Sequence, residues 1–134
     1  MTPFLAHQAN VTNEDLTPFL ATYLIYLKDM IIINSIIDTI KINRIRITDH
    51  ADEEAQADNL SFEEIFTSVL RGEIIEQYPD DKPYPSCLIL GKNFKNEPIH
   101  SVWAYNAEAN ASVSITAYRP DPKKWMEDWK TRRR

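Results

Sequence analysis

Residues 61–78 read Ser61-Phe-Glu-Glu-Ile-Phe-Thr-Ser-Val-Leu-Arg-Gly-Glu-Ile-Ile-Glu-Gln-Tyr78, and a change of period inside this stretch decides the fold class. Ser61 followed by Glu64 is a capping box, and Leu60 with Ile65 fits the hydrophobic staple around it. Phe62, Ile65, Phe66, Val69 and Leu70 then recur at helical spacing, and Gly72 stands where a helix ends in the C′ position. Glu63 and Glu64 in the first turn suit the positive end of the helix dipole. From Gly72 the apolar positions no longer follow a helix, and Glu73–Tyr78 reads as a strand.

Three more strands follow downstream: Ser86–Gly91, Ile99–Tyr105 and Ser112–Tyr118, each rich in Ile, Val, Tyr or Trp. Short connections carrying turn residues (Pro79–Pro83, Lys92–Pro98 and Asn106–Asn110) favour antiparallel neighbours. Upstream, Ile32, Ile33, Ile36, Ile37 and Ile40 form one stripe of a helix. Asn43–Thr48 then alternates, with Ile45 and Ile47 on one face and Arg44 and Arg46 on the other. Thr48 and Asp49 can cap a short acidic helix through Ala51–Ala57. The expectation is therefore α+β, with N-terminal helices packed on a small antiparallel sheet of four to five strands. Residues 30–118 read as one domain. Residues 1–29 read either as an appendage or as an ordinary N-terminal helix packed on the core. Residues 119–134 form a basic, Trp-containing tail, and the spacing of Trp125 and Trp129 predicts a short helix folding back onto the sheet.

Composition narrows the function classes. The chain has 134 residues, of which 43% are hydrophobic, 26% charged and only 2 glycine, as expected of a folded domain. A single cysteine, Cys87, excludes an internal disulfide and a cysteine-based zinc site, and it reads as a buried apolar residue. The net charge of −5 argues against a general nucleic-acid coat. Charge is nonetheless uneven: residues 41–47 carry Lys41, Arg44 and Arg46 with no acid, residues 48–82 carry eleven acids against Arg71 and Lys82, and the tail is basic. The long apolar stretch Leu16–Ile40 is interrupted by Lys28, Asp29, Asn34 and Asp38, so it falls short of the roughly 20 apolar residues that a bilayer requires. The N-terminus lacks the basic start of a secretory signal, and the expected location is cytoplasmic.

No phosphate-binding glycine loop, dinucleotide fingerprint or esterase elbow is present, and no cofactor or metal is expected. The candidate chemistry rests on few residues. His50, where a cationic strand meets a helix start, could act as a general base beside a phosphate or could cap that junction. His100 alternates with Ile99 and Ser101, which suits a site and a satisfied core histidine alike. Tyr118 could donate a proton or stack on a base, and Arg119 could bind a phosphate; equally, Tyr118 could close the core and Arg119 pair with a helix acid. The acids of residues 49–58 read as a solvated helix face.

Several segments in combination resemble a known family: Ile47-Thr-Asp-His-Ala51, Ser61-Phe-Glu-Glu64, Gly72–Asp81, Pro85–Gly91, Pro98-Ile-His100 and Thr116-Ala-Tyr-Arg-Pro120. The resemblance is to an uncharacterised bacterial domain often encoded beside zinc-finger antitoxins of the YgiT/MqsA type. It covers residues 30–134 and implies a fold similar to the RelE, BrnT and MqsR toxins, which are metal-independent endoribonucleases acting on mRNA. It implies catalytic roles for His50, His100, Tyr118 and Arg119, phosphate or RNA binding by Arg44 and Arg46, and a cognate antitoxin of zinc-finger or helix-turn-helix type, with RNA or the ribosome as further partners and no membrane. The chain departs from the family in its acidic run Asp52–Asp58, where basic residues are common. A non-catalytic protein-interaction module of the same fold is the alternative.

Overall fold

The computed structural model describes residues 13–134 and separates into two compact units, Met1–Met30 and Ile31–Arg134. The expectation for residues 1–12 lies outside the described residues. In the first unit, helix α1 (Asn13–Lys28) contains Pro18, whose carbonyl accepts a hydrogen bond from Thr22 Oγ1 at 3.1 Å. Among the described residues no helix is long and apolar enough to cross a membrane.

The second unit is α+β. Its elements run α2 (Ile33–Lys41), β1 (Ile45–Ile47), α3 (Asp49–Ala57), α4 (Phe62–Leu70), β2 (Glu73–Tyr78), β3 (Ser86–Lys92), β4 (Pro98–Asn106) and β5 (Ala111–Tyr118). The five strands form one sheet in the order β1-β5-β4-β3-β2. Strands β2 to β5 pair antiparallel through their short connections. The sheet is mixed, however, because β1 runs parallel to β5 with Arg46 opposite Val113. Two helices and three strands separate β1 from β5, so no hairpin forces an antiparallel pairing there.

Helices cover one face of the sheet. Ile36, Ala55, Leu60, Ile65 and Val69 meet Cys87, Ile89, Ile99, Trp103 and Ala117 in a single core, with Phe66 6.4 Å from the Trp103 ring. The capping box of α4 forms as expected: Ser61 Oγ accepts from Glu64 N at 3.1 Å and Glu64 Oε1 from Ser61 N at 3.3 Å.

Both glycines answer to one carbonyl. Gly72 takes the C′ position with no positive φ, so its reason differs from the usual left-handed cap. A Cβ there would stand 2.6 Å from Ser68 O, and one at Gly91 only 1.7 Å from it. With glycine committed to close approach, asparagine takes four of the five left-handed positions among the described residues. Asn43 (φ 58°) and Asn59 (φ 57°) follow α2 and α3 in paired hydrogen bonds, such as Leu60 N to Ala55 O at 2.8 Å and Asn59 N to Gln56 O at 3.0 Å. Asn96 and Asn110 do the same in the hairpin loops.

On the opposite face, residues 119–134, which belong to the same unit as the sheet, fold back over the part that carries His100 and Glu76. No helix forms there, which corrects the expectation from the Trp125 and Trp129 spacing. The Asp128 carboxylate accepts hydrogen bonds from Lys130 N, Thr131 N and Thr131 Oγ1, and Trp129 takes a left-handed φ of 61°. That local competition turns the chain back, pairing Trp125 with Arg132 in a bridge. Trp125 is buried against the sheet.

Candidate functional site

Alternation along β4 sends Ile99 and Trp103 into the helix-side core and His100 to the other face, opposite Tyr118 of β5 and Leu90 of β3. There the tail closes over it. His100 is fully buried, its ring edge-on to Trp125 at 4.5 Å and to Tyr118 at 5.4 Å. Nε2 lies 2.7 Å from Trp129 O and Nδ1 3.2 Å from Tyr118 Oη. A carbonyl can only accept, so Nε2 carries the proton, and the Nδ1 lone pair accepts from the Tyr118 hydroxyl. Burial lowers the His100 pKa, partly offset by the Trp129 carbonyl, and burial raises that of Tyr118. The pair is thus a neutral imidazole facing a protonated phenol.

Beside it lies a charged bridge to the tail. Arg132 grips Glu76 with Nε at 3.0 Å and Nη2 at 2.9 Å and stacks on the Trp125 ring at 4.5 Å. Tyr78 Oη donates to Glu76 Oε1 at 2.5 Å. The Arg132 hydrogen bonds hold the Glu76 carboxyl below its ordinary range, while burial and then the Glu76 bond push the Tyr78 phenol up.

Arg119 follows Tyr118 in the chain but turns elsewhere. Its Nη2 lies 3.5 Å from Glu64 Oε2, its Nη1 3.3 Å from Glu97 Oε1, and its Nε donates to Asp58 O at 2.9 Å. Asn93, buried in the β3–β4 loop, places both acids by donating to Glu64 at 3.1 Å and Glu97 at 2.7 Å. Those amide bonds lead the causes that lower both carboxyl pKa values. Arg119 therefore pairs with one helix acid, Glu64, and with Glu97 of the β3–β4 loop.

His50 is exposed on the first turn of α3, with Nε2 3.8 Å from Glu54 Oε1. The junction is capped instead by Thr48, whose hydroxyl accepts from Ala51 N at 3.1 Å. The acids of α3 are more than a solvated face. Where β1 stops, Glu54 Oε1 accepts from Ala117 N at 3.0 Å and Asp58 Oδ2 from Arg119 N at 2.7 Å. Side chains four apart on the helix thereby satisfy amides two apart on the uncovered edge of β5.

Arg44 donates to Ala109 O at 2.7 Å and to Asn110 O at 3.1 Å. Arg46 is exposed, and its guanidinium bonds to none of the described residues. Both line a depression of about 350 Å³ with Asn43, Ile45, Ala111, Ser112 and Val113. Cys87 is buried in the core, its thiol pushed up to about 12 by burial. No three His, Cys, Asp or Glu side chains come together as a metal site among the described residues.

Of the six candidates, then, His100 meets Tyr118 and Arg44 neighbours Arg46, while Arg119 lies between Glu64 and Glu97 and His50 pairs, among the described residues, with Glu54 alone. Sequence reasoning missed Glu76, Tyr78, Arg132 and the Trp129 carbonyl around His100, and Asn93 behind Arg119. The tail's basic and aromatic residues were the only hint of the first group, and nothing in the sequence marked Asn93.

The site belongs to an α+β domain whose helices cover one sheet face and whose C-terminal segment covers part of the other, around His100. The family described as domain of unknown function DUF4258 matches residues 47–119, and the chain belongs to that family. The match includes His50, His100, Tyr118 and Arg119; Arg44, Arg46 and the tail from Pro120 onward lie outside it. None of the curated proteins and none of the solved structures matches the chain.

Proposed function

We propose that this chain is a non-catalytic protein-interaction module, with a cognate antitoxin-type protein as its partner and the RelE/BrnT/MqsR-like architecture implied by the family resemblance. One observation carries this reading. Cleavage of RNA by its own 2′-hydroxyl requires a base and a proton donor converging with a cation on the same phosphate. Here the cation nearest in sequence to the Tyr118–His100 pair, Arg119, is held by Glu64 and Glu97, and His100 itself is enclosed by the tail. Arg132, the cation that does approach the pair, is engaged by Glu76. The test is bacterial growth after induced expression of the full chain beside His50→Ala and Arg119→Ala. Normal growth with folded, soluble wild type is expected. Growth arrest relieved by either substitution overturns the reading.

The runner-up is a metal-independent endoribonuclease toxin acting on mRNA, and the geometry of Tyr118 favours it. Its hydroxyl donates to a neutral imidazole whose other nitrogen is fixed by a carbonyl, an arrangement able to take the proton of a ribose 2′-hydroxyl onto Tyr118 Oη while the phenol's own proton passes to His100 Nδ1. RNA cleavage in the presence of chelator, lost on Tyr118→Phe, would establish it.

A further inference from the structure

We propose that the outer edge of β1 is a docking site for an acidic, extended peptide segment of a partner protein, which adds to the sheet as a sixth strand while its carboxylates meet Arg44 and Arg46. This rests on the interaction-module reading. β1 is the terminal strand of the sheet, with β5 on one side only. Arg44 O accepts from Ser112 N at 3.1 Å and Thr48 N donates to Ser114 O at 3.1 Å. In a parallel ladder with those bonds, Arg46 also turns its amide and carbonyl to β5, and Ile45 and Ile47 turn theirs away. No described residue bonds those outward groups, in contrast to the end of β5, which Glu54 and Asp58 cover.

Charge selects the occupant. Ile45 packs on the core, so Arg44 and Arg46 share the other face and the shallow depression there, whose lining contains no acid. Arg44 is held in place by two carbonyls that leave its charge uncancelled, and the Arg46 guanidinium has no partner among the described residues. The cations elsewhere that face acids are matched: Arg119 to Glu64 and Glu97, Lys130 to Glu73 and Arg132 to Glu76. An unmatched, acid-free patch on a protein of net charge −5 complements a local acidic segment. Residues two apart on an added strand share a face, as Arg44 and Arg46 do, so Glu or Asp at alternate positions meets both. A polyphosphate chain offers acceptors but no donors for the free carbonyls of Ile45 and Ile47.

The probe is a fluorescein-labelled peptide of about eight residues alternating Glu with Val or Thr, titrated with the full chain and read by anisotropy. Controls are the same peptide with Lys for Glu, and one N-methylated at alternate amides. Expected are micromolar binding by the Glu peptide alone, a loss of about tenfold or more on Arg46→Glu, and weakening as salt rises from about 0.05 to 0.5 M. Arg46 is exposed, so the variant folds, and a thermal melt checks this. No binding, binding indifferent to Arg46→Glu, or equal binding of the N-methylated peptide overturns the proposal. So does tighter, Arg46-dependent binding of a single-stranded oligonucleotide. Failure here with normal growth in the expression test removes the β1 site and leaves the interaction module standing. Growth arrest relieved at His50 or Arg119 removes the module whatever the peptide does.

Discussion

Gly91→Ala should be among the most damaging single-methyl changes in this protein. A Cβ at residue 91 would lie 1.7 Å from Ser68 O, 2.5 Å from Ser68 C and 2.9 Å from Ser68 Cα, all backbone atoms of α4. Side-chain rotation cannot relieve this, and reaching even a 3.0 Å contact with the carbonyl oxygen demands a shift of at least 1.3 Å between α4 and β3. Ile65 and Val69 pack from α4 into the core at 3% and 0% exposure. Burial of two such side chains contributes about 3–6 kcal/mol, and a gap of this size forfeits roughly half of their contact energy. Alanine's better strand propensity returns about 0.5–1 kcal/mol. The expected net loss is therefore about 0.5–2.5 kcal/mol, measured by urea denaturation followed by tryptophan fluorescence and circular dichroism. Gly72→Ala supplies the scale, because its Cβ meets Ser68 O at 2.6 Å and Leu90 O at 2.7 Å. Its smaller shortfall should cost about 1 kcal/mol. A Gly91→Ala loss under about 0.5 kcal/mol, or a larger loss at Gly72, would refute the idea that the helix–sheet spacing is set by these two glycines.

Three further outcomes are expected. Ser61→Ala removes the acceptor for Glu64 N and half of the capping box, and should lower stability by about 1 kcal/mol in the same denaturation assay, with Ser61→Asp largely restoring it. Trp125→Ala opens the tail over the sheet and should cost about 3 kcal/mol while moving the His100 pKa back up toward its ordinary value of 6.5, followed by the NMR shifts of the imidazole. The folded protein holds His100 neutral at pH values where the unfolded chain takes up a proton. Stability should therefore be fully present above pH 6.5 and fall on acidification below it. His100→Gln should flatten that slope; an unchanged slope would show that another group is responsible.

Local patterns were legible where they rest on neighbours in the chain. The α4 capping box, the apolar stripes and the alternation of β4 each depend on residues within a turn or a strand of one another, so periodicity and cap chemistry sufficed for the elements and the α+β class. The same logic failed for the tail. The Trp125 and Trp129 spacing promised a helix, yet Asp128 captures the amides that a helix would use. The parallel pairing of β1 was likewise invisible, because the hairpin argument applies only between consecutive strands.

The candidate site divides along the same line. Sequence alone determined that Arg44 and Arg46 share a face opposite Ile45 and Ile47, and that His100 stands apart from Ile99 and Trp103, since strand alternation is a local rule. Only the tertiary structure decided which charges remain free. Ion pairs join residues far apart in the chain, such as Glu76 with Arg132 and Arg119 with Glu64 and Glu97, and no period encodes which will meet. Burial of His100 beneath a segment that begins nineteen residues later is equally a property of the folded whole. The acids of α3 became edge partners of β5 because β1 is too short to cover it, a length that has meaning only once the strands lie side by side.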